Sequence, residues 1–221
     1  MRRHDLVYLR PEAPWSSPCA AAGSPLWRAA RQWIAAGRPL VAARQSGGGS
    51  VALGLTLPLA QDRQRLSILV EPAAIAHCRP PLTVADCASR LPAEQAAPLR
   101  ELAGRALACS AALGVYGSLA WEAVSGEAYR HTGSDIDVIC DVATPAQFAT
   151  LLAALHCAAE RLPCRLDGEI RFPDGNAVAW REIAAHLNNP AAPVLVKGPR
   201  EVGLYPLESL TATLLPESCH V

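Results

Sequence analysis

The feature that most constrains this chain is a Gly-Ser pair followed, after a short helical stretch, by two acids two positions apart. Val115, Tyr116, Gly117, Ser118, Leu119, Ala120 and Trp121 form the first half, and Gly133, Ser134, Asp135, Ile136, Asp137, Val138 and Ile139 the second. Apolar residues at 136, 138 and 139 mark a strand, and alternation along a strand points Asp135 and Asp137 the same way. Two carboxylates so placed repel unless a cation lies between them. A divalent metal sharing phosphate oxygens is the usual cation for such a pair. A Gly-Ser turn that opens a helix, here over 119–124 and ended by Gly126, offers free backbone N–H groups and a positive dipole end to an anion. A Gly-Ser pair alone is commonly a plain turn, and an Asp-x-Asp alone is commonly a solvated strand edge. In this order they are the equipment of phosphoryl or nucleotidyl transfer.

Composition narrows the setting. The chain has 221 residues, 51% apolar and 18% charged, enough to bury a core and too apolar for disorder. Its 20 basic and 20 acidic residues cancel, so no global field draws it to nucleic acid or to an anionic membrane, and a polyphosphate must be held by a local site. Nearly all the basic residues are arginine, with Lys197 the only lysine. Cys19, Cys78, Cys87, Cys109, Cys140, Cys157, Cys164 and Cys219 show no metal-binding spacing and read as reduced thiols. The basic N-terminus lacks an apolar segment behind it, and the uncharged run from Ala106 to Trp121 is too short for a membrane span. The expectation is a cytoplasmic protein without membrane or nucleic-acid partners.

Residues 1–80 read as a small N-terminal α+β domain. Ser24 and Pro25 start a helix with Leu26, Ala30 and Trp33 on one face, and Gly37 ends it. Apolar runs at 40–43, 51–57 and 66–70 predict an antiparallel meander, with Gly47, Gly48 and Gly49 in a hairpin turn that lacks the ending of a P-loop. Prolines 72, 80 and 81 break up the stretch from 71 to about 92, which reads as a connection, assigned to 81–94.

Residues 95–221 hold the functional signals. Leu99, Leu102, Ala106 and Leu113 recur at helical steps ahead of the Gly-Ser turn. Thr144, Pro145 and Gln147 form a capping-box-like helix start, followed by a stripe of Phe148, Leu151, Leu152, Leu155 and Leu162, with His156 beside it. Residues 165–172 return as a strand with Asp167 and Glu169 on one face, and Pro173, Asp174, Gly175 and Asn176 turn it into a hairpin. A short helix after Trp180 should end at Asn188, Asn189 and Pro190, and 194–197 should form a last buried strand bearing Lys197, with Arg200 nearby.

This order resembles the nucleotidyltransferase superfamily of polymerase-beta type. The resemblance implies an α/β (α+β) mixed sheet with flanking helices, preceded by the β-rich N-terminal domain. It also implies two Mg²⁺ ions, with Mn²⁺ as substitute, held by Asp135, Asp137 and a third acid. Asp167 and Glu169 are both available for that place. The segments at 116–122, 134–137, 166–169, 179–182 and 194–197, with Arg3, His4, Asp5, Leu6 and Val7 at the start, further resemble the phosphoribosyl-dephospho-CoA transferase family of malonate decarboxylase, its holo-acyl-carrier-protein synthase.

That resemblance implies transfer of phosphoribosyl-dephospho-CoA from 2′-(5″-triphosphoribosyl)-3′-dephospho-CoA to a serine of the malonate decarboxylase acyl-carrier subunit, with release of pyrophosphate. Asp135 and Asp137 would be catalytic. Gly117, Ser118, Ser134, Lys197 and Arg200 would bind the substrate. Two other readings keep the fold: a small enzyme using a nucleoside triphosphate on another acceptor, and a non-catalytic binding subunit. Intact Asp135 and Asp137 speak against the latter.

Overall fold

The computed structural model describes residues 1–45, 47–186, 190 and 192–216. The chain divides into two compact units. The first comprises Met1–Pro81, Ala120–Arg130 and Pro199–Glu201, and the second Leu82–Leu119, His131–Gly198 and Val202–Val221.

The first unit is one antiparallel sheet with a helix. Its strands are β1 (Leu6–Leu9), β2 (Trp15–Ser16), β3 (Leu40–Ala42), β4 (Val51–Thr56), β5 (Arg65–Val70) and β6 (Ile75–Arg79), in the order β2-β5-β4-β3-β1-β6. The meander expected at 40–70 is β3 to β5, held by a full register from Val51↔Val70 to Thr56↔Arg65. The sheet is larger than that meander. Residues 75–79, within the stretch read as a connection, pair with β1 from Leu6↔Arg79 to Leu9↔Ile75. Proline at 72 sits before β6 and Pro80 after it, so neither removes a ladder hydrogen bond from the strand itself.

Helix α1 (Pro25–Ala35) starts where the capping signal put it. The Ser24 hydroxyl accepts the Trp27 N–H at 3.2 Å, and Gly37 past the end takes φ +70°. Ala30, Trp33 and Ile34 are its buried face, while Leu26 lies only partly buried at the rim. The core of the unit also takes Trp121 and Tyr129 from the 120–130 segment. Trp121 meets Trp33 edge-on at 5.5 Å and stacks with Tyr129 at 6.2 Å, and the Tyr129 hydroxyl donates to the Thr56 carbonyl at 3.1 Å.

The second unit contains α2 (Ala93–Ala108), β7 (Ala112–Tyr116), the start of α3 (Gly117–Ser125), β8 (Ile136–Asp141), α4 (Pro145–Arg161), β9 (Leu166–Arg171), β10 (Ala177–Ala179), α5 (Trp180–His186), β11 (Val194–Lys197), β12 (Val202–Tyr205) and α6 (Leu207–Thr211). Its mixed sheet runs β12-β11-β10-β9-β8-β7, antiparallel except for the β8–β9 pair. This is the mixed sheet with flanking helices that the sequence implied. The parallel pair requires a crossover, and α4 provides it. The Thr144 hydroxyl caps α4 by accepting the Gln147 N–H at 3.2 Å. Gln147 answers by accepting the Ala143 N–H at 2.7 Å.

Other expectations are corrected as well. Leu113 does not extend α2: the helix ends at Ala108, Ser110 takes a left-handed φ of +55°, and Leu113 lies on β7 and pairs with Cys140 of β8. Its helical spacing from Ala106 is a coincidence across that break. The strand at 194–197 is not the last, because β12 pairs with it from Val194↔Tyr205 to Lys197↔Val202 and forms the sheet edge. Within it Leu195 is exposed, so β11 is only half buried. The helix stop expected at Asn188 and Asn189 lies outside the described residues. Among the described residues no helix is long and apolar enough to cross a membrane.

Candidate active site

Strand register assembles the acids. In the parallel β8–β9 pair Asp137 is the direct partner of Asp167, Ile139 of Glu169, and Asp141 of Arg171. Direct partners share a face of the sheet, so this face carries Asp137, Asp141, Asp167, Glu169 and Arg171, with the apolar Ile139 between the two aspartates of β8. The opposite face carries Ile136, Val138, Cys140, Leu166 and Ile170, all fully buried. Burial there pushes the Cys140 thiol far up, aided by the Asp141 charge, which keeps it neutral and out of the chemistry.

Gly117 closes the site from the β7 side. Tyr116 pairs with Asp137, and the chain then turns at Gly117, with φ +70°, into α3. A Cβ at position 117 would overlap the Asp137 carboxylate and stand 2.9 Å from its Cγ. The absent side chain therefore lets the carboxylate lie against the backbone at the start of the helix. A close approach of the same kind occurs at Gly168, where a Cβ would run into the Val138 carbonyl of the neighbouring strand. Ser118, in the first turn of α3, is buried at 8% exposure.

The remaining residues singled out in the sequence divide by surroundings. Asp135, half-buried, directly precedes β8, and the loop before it is fixed by its own bonds. Ser134 accepts the His131 N–H on its hydroxyl at 2.9 Å and donates its own N–H to the His131 carbonyl at 3.0 Å. The Ser134 hydroxyl is thus engaged in closing a turn. Glu169 is 3% exposed and accepts from the Lys197 ammonium at 2.9 Å. Asp167 accepts from Arg165 Nε at 2.7 Å, with Arg181 Nε at 3.8 Å from the same oxygen. Arg200 is exposed and belongs to the first unit. Asp135, Asp137, Asp167, Glu169, Lys197, Gly117, Ser118 and Ser134 all belong to the second.

Among the described residues no three acids, histidines or cysteines converge into a ready-made metal cage. Asp167 and Glu169 each hold a cationic partner. The donor set still fits a hard divalent ion: carboxylate oxygens only, two of them on register-paired residues, beside a glycine that keeps the approach open.

The family model described as the phosphoribosyl-dephospho-CoA transferase MdcG C-terminal domain matches residues 83–208, and that of the N-terminal domain matches residues 2–81. The chain belongs to the phosphoribosyl-dephospho-CoA transferase family. Curated relatives bearing that name cover nearly its whole length. The chain is 37% identical to one from Xanthomonas axonopodis pv. citri over 211 residues, 94% of this chain and 95% of the relative. A relative from Xanthomonas campestris pv. campestris is 37% identical over 220 residues, 98% of each chain. One from Bradyrhizobium diazoefficiens is 33% identical over 208 residues, 91% of this chain and 88% of the relative. No solved structure gives a significant match. Membership in this family makes the chain a transferase enzyme, and it takes in the N-terminal residues 2–81 as a domain of the same family.

Two parts of the site were missed in the sequence. Arg165 and Arg181 bracket Asp167, and Arg171 makes a bidentate pair with Asp141 at 2.5 and 2.9 Å. A signal for Arg165 existed, since residues 165 and 167 share a strand face. Arg181 reaches Asp167 from another element, and no local spacing reveals that.

Proposed function

We propose that this protein transfers the phosphoribosyl-dephospho-CoA group from 2′-(5″-triphosphoribosyl)-3′-dephospho-CoA to a serine of the malonate decarboxylase acyl-carrier subunit, as a cytoplasmic enzyme. The observation that carries the reading is the register pairing of Asp137 with Asp167, beside a Gly117 that leaves Asp137 against the helix start. Acids held in register attract the cations that accompany a polyphosphate. The free N–H groups at the start of α3 suit its oxygens.

In this reading Asp135, Asp137 and Asp167 hold Mg²⁺, and Glu169 holds Lys197 instead of metal. When bound, the ion neutralises triphosphate charge and acidifies the attacking hydroxyl. The backbone N–H groups at Gly117 and Ser118 bind the β- and γ-phosphates and fix the α-phosphorus in line with the acceptor. The serine Oγ bonds to the α-phosphorus and the bond from that phosphorus to the bridging oxygen breaks. Pyrophosphate leaves, and the hydroxyl proton is taken up by a carboxylate oxygen of the β8–β9 acids. Lys197, a half-exposed ammonium anchored by Glu169, offsets charge on the departing pyrophosphate.

The test is the intact mass of the apo acyl-carrier subunit after incubation with the enzyme, Mg²⁺ and the triphosphoribosyl donor. The expected result is a gain of one phosphoribosyl-dephospho-CoA with wild type and none with Asp137→Asn or Asp135→Asn. Either variant within about tenfold of wild type, roughly 1.4 kcal/mol of barrier, would overturn the assignment of the acids. No gain with wild type and intact donor would move the substrate question to a panel of nucleoside triphosphates.

A further inference from the structure

The acids of β8 and β9 hold more positive charge than the proposed reaction has used. Arg165 Nε bonds Asp167 Oδ1 at 2.7 Å, and Arg181 Nε lies 3.8 Å from the same oxygen. Both side chains are partly exposed, Arg165 at 61% and Arg181 at 44%. Neither is loosely placed. The Arg165 carbonyl accepts the Ile136 N–H at 2.9 Å, which ties its backbone to the segment between Asp135 and Asp137. The Arg181 guanidinium lies over the Trp180 ring at 4.5 Å from its centroid, and Trp180 is itself buried and donates its indole N–H to the Leu166 carbonyl at 3.2 Å.

We propose that Arg165 and Arg181 are polyphosphate-binding residues that occupy Asp167 in the free protein and exchange it for the phosphate oxygens of the donor. The inference rests on the metal-and-triphosphate reading above. In the free state Asp167 is the register partner of Asp137 across the parallel pair, and two arginines offset the negative charge gathered there. Among the described residues no three acids converge into a metal cage, and Asp167 is engaged by arginine. When a cation enters beside Asp137, it competes for the same Asp167 oxygen. A displaced guanidinium then faces the trianionic end of the donor, and its planar fork suits phosphate oxygens. Metal and arginine thus compete for one acid, while metal and polyphosphate cooperate through it.

The opposite signs of these two effects make the test. Mn²⁺ binding to the ligand-free protein is measured by electron paramagnetic resonance. Tripolyphosphate, titrated as its Mg²⁺ complex with Mg²⁺ in excess, is measured by calorimetry. Arg165→Ala should bind Mn²⁺ about three- to tenfold more tightly, the effect of removing one exposed cation at this range. The same variant should bind Mg²⁺-tripolyphosphate about tenfold more weakly through loss of a charged hydrogen bond. Arg181→Ala should move both quantities in the same directions by less, and Arg165→Lys should restore part of the tripolyphosphate affinity. Tighter Mn²⁺ with unchanged tripolyphosphate would reduce the arginines to charge balance and overturn the proposal. Both affinities weakened, or neither changed, would overturn it as well. The parent reading fails separately, by wild type binding no more Mn²⁺ than Asp137→Asn, and the proposal falls with it.

Discussion

Gly117 shows how a single residue sets the site. Its φ of +70° costs an L side chain about 1–2 kcal/mol by itself. A Cβ there also meets the Asp137 carboxylate, which cannot withdraw without leaving its place beside Asp167. Gly117→Ala therefore acts twice, once on the backbone and once on the acid. We expect a stability loss of about 1–3 kcal/mol by urea unfolding. Transfer activity should fall by at least about a hundredfold, the scale of a 1 Å misplacement of a reacting group. Full activity in a stable Gly117→Ala protein would mean that Asp137 acts from another position.

Helix α3 also carries, past its first turn, the half-buried carboxylate of Glu122. Glu122 accepts the backbone N–H groups of Tyr129 and Arg130 at 2.9 and 2.8 Å and pairs with Arg130 Nε at 2.8 Å. Burial pushes its carboxyl up, but these donors outweigh it and hold the group below the ordinary carboxylate range. A depressed folded-state pKa adds stability that is present in full above the unfolded value, near 4.3, and is lost as pH falls through the folded value. Glu122→Gln should thus cost about 2–4 kcal/mol at pH 7, since it removes the negative charge that pairs with Arg130 Nε and strengthens the two backbone hydrogen bonds. The gap from wild type should close as pH falls below about 4 in urea midpoints measured across pH. A gap that stays constant to pH 2 would show that the charge plays no part. Elements with local signals were legible in the sequence: the Ser24 and Thr144 caps, the Gly175 turn and the β8 alternation all stand where residue chemistry put them. Less legible was whatever depends on pairing over distance. Residues 75–79 have no strong pattern of their own and become a strand because β1 offers an edge. The acids at 135 and 137 were readable from two-residue spacing, whereas the bond of Lys197 to Glu169 and that of Arg181 to Asp167 needed the sheet to form first.

For the molecule as a whole, charge balance meets an open sheet edge. With 20 basic and 20 acidic residues and an isoelectric point near 7.0, the protein has no net repulsion between copies at neutral pH. Strand β12 ends its sheet, and Val202 and Leu204 project from it at 46% and 64% exposure. An edge with apolar side chains and no charge of its own invites pairing with another chain. On its other face the Tyr205 ring lies over Gly203 and is itself 40% exposed. Self-association at pH 7 should therefore run through β12, and light scattering should show it relieved at pH 9, where the protein becomes anionic. Leu204→Lys should relieve it at pH 7 as well. The side chain is already solvent-facing, so the fold should change by less than about 0.5 kcal/mol. Equal association of Leu204→Lys and wild type at pH 7, with pH 9 still relieving both, would keep the charge argument and remove β12 from it.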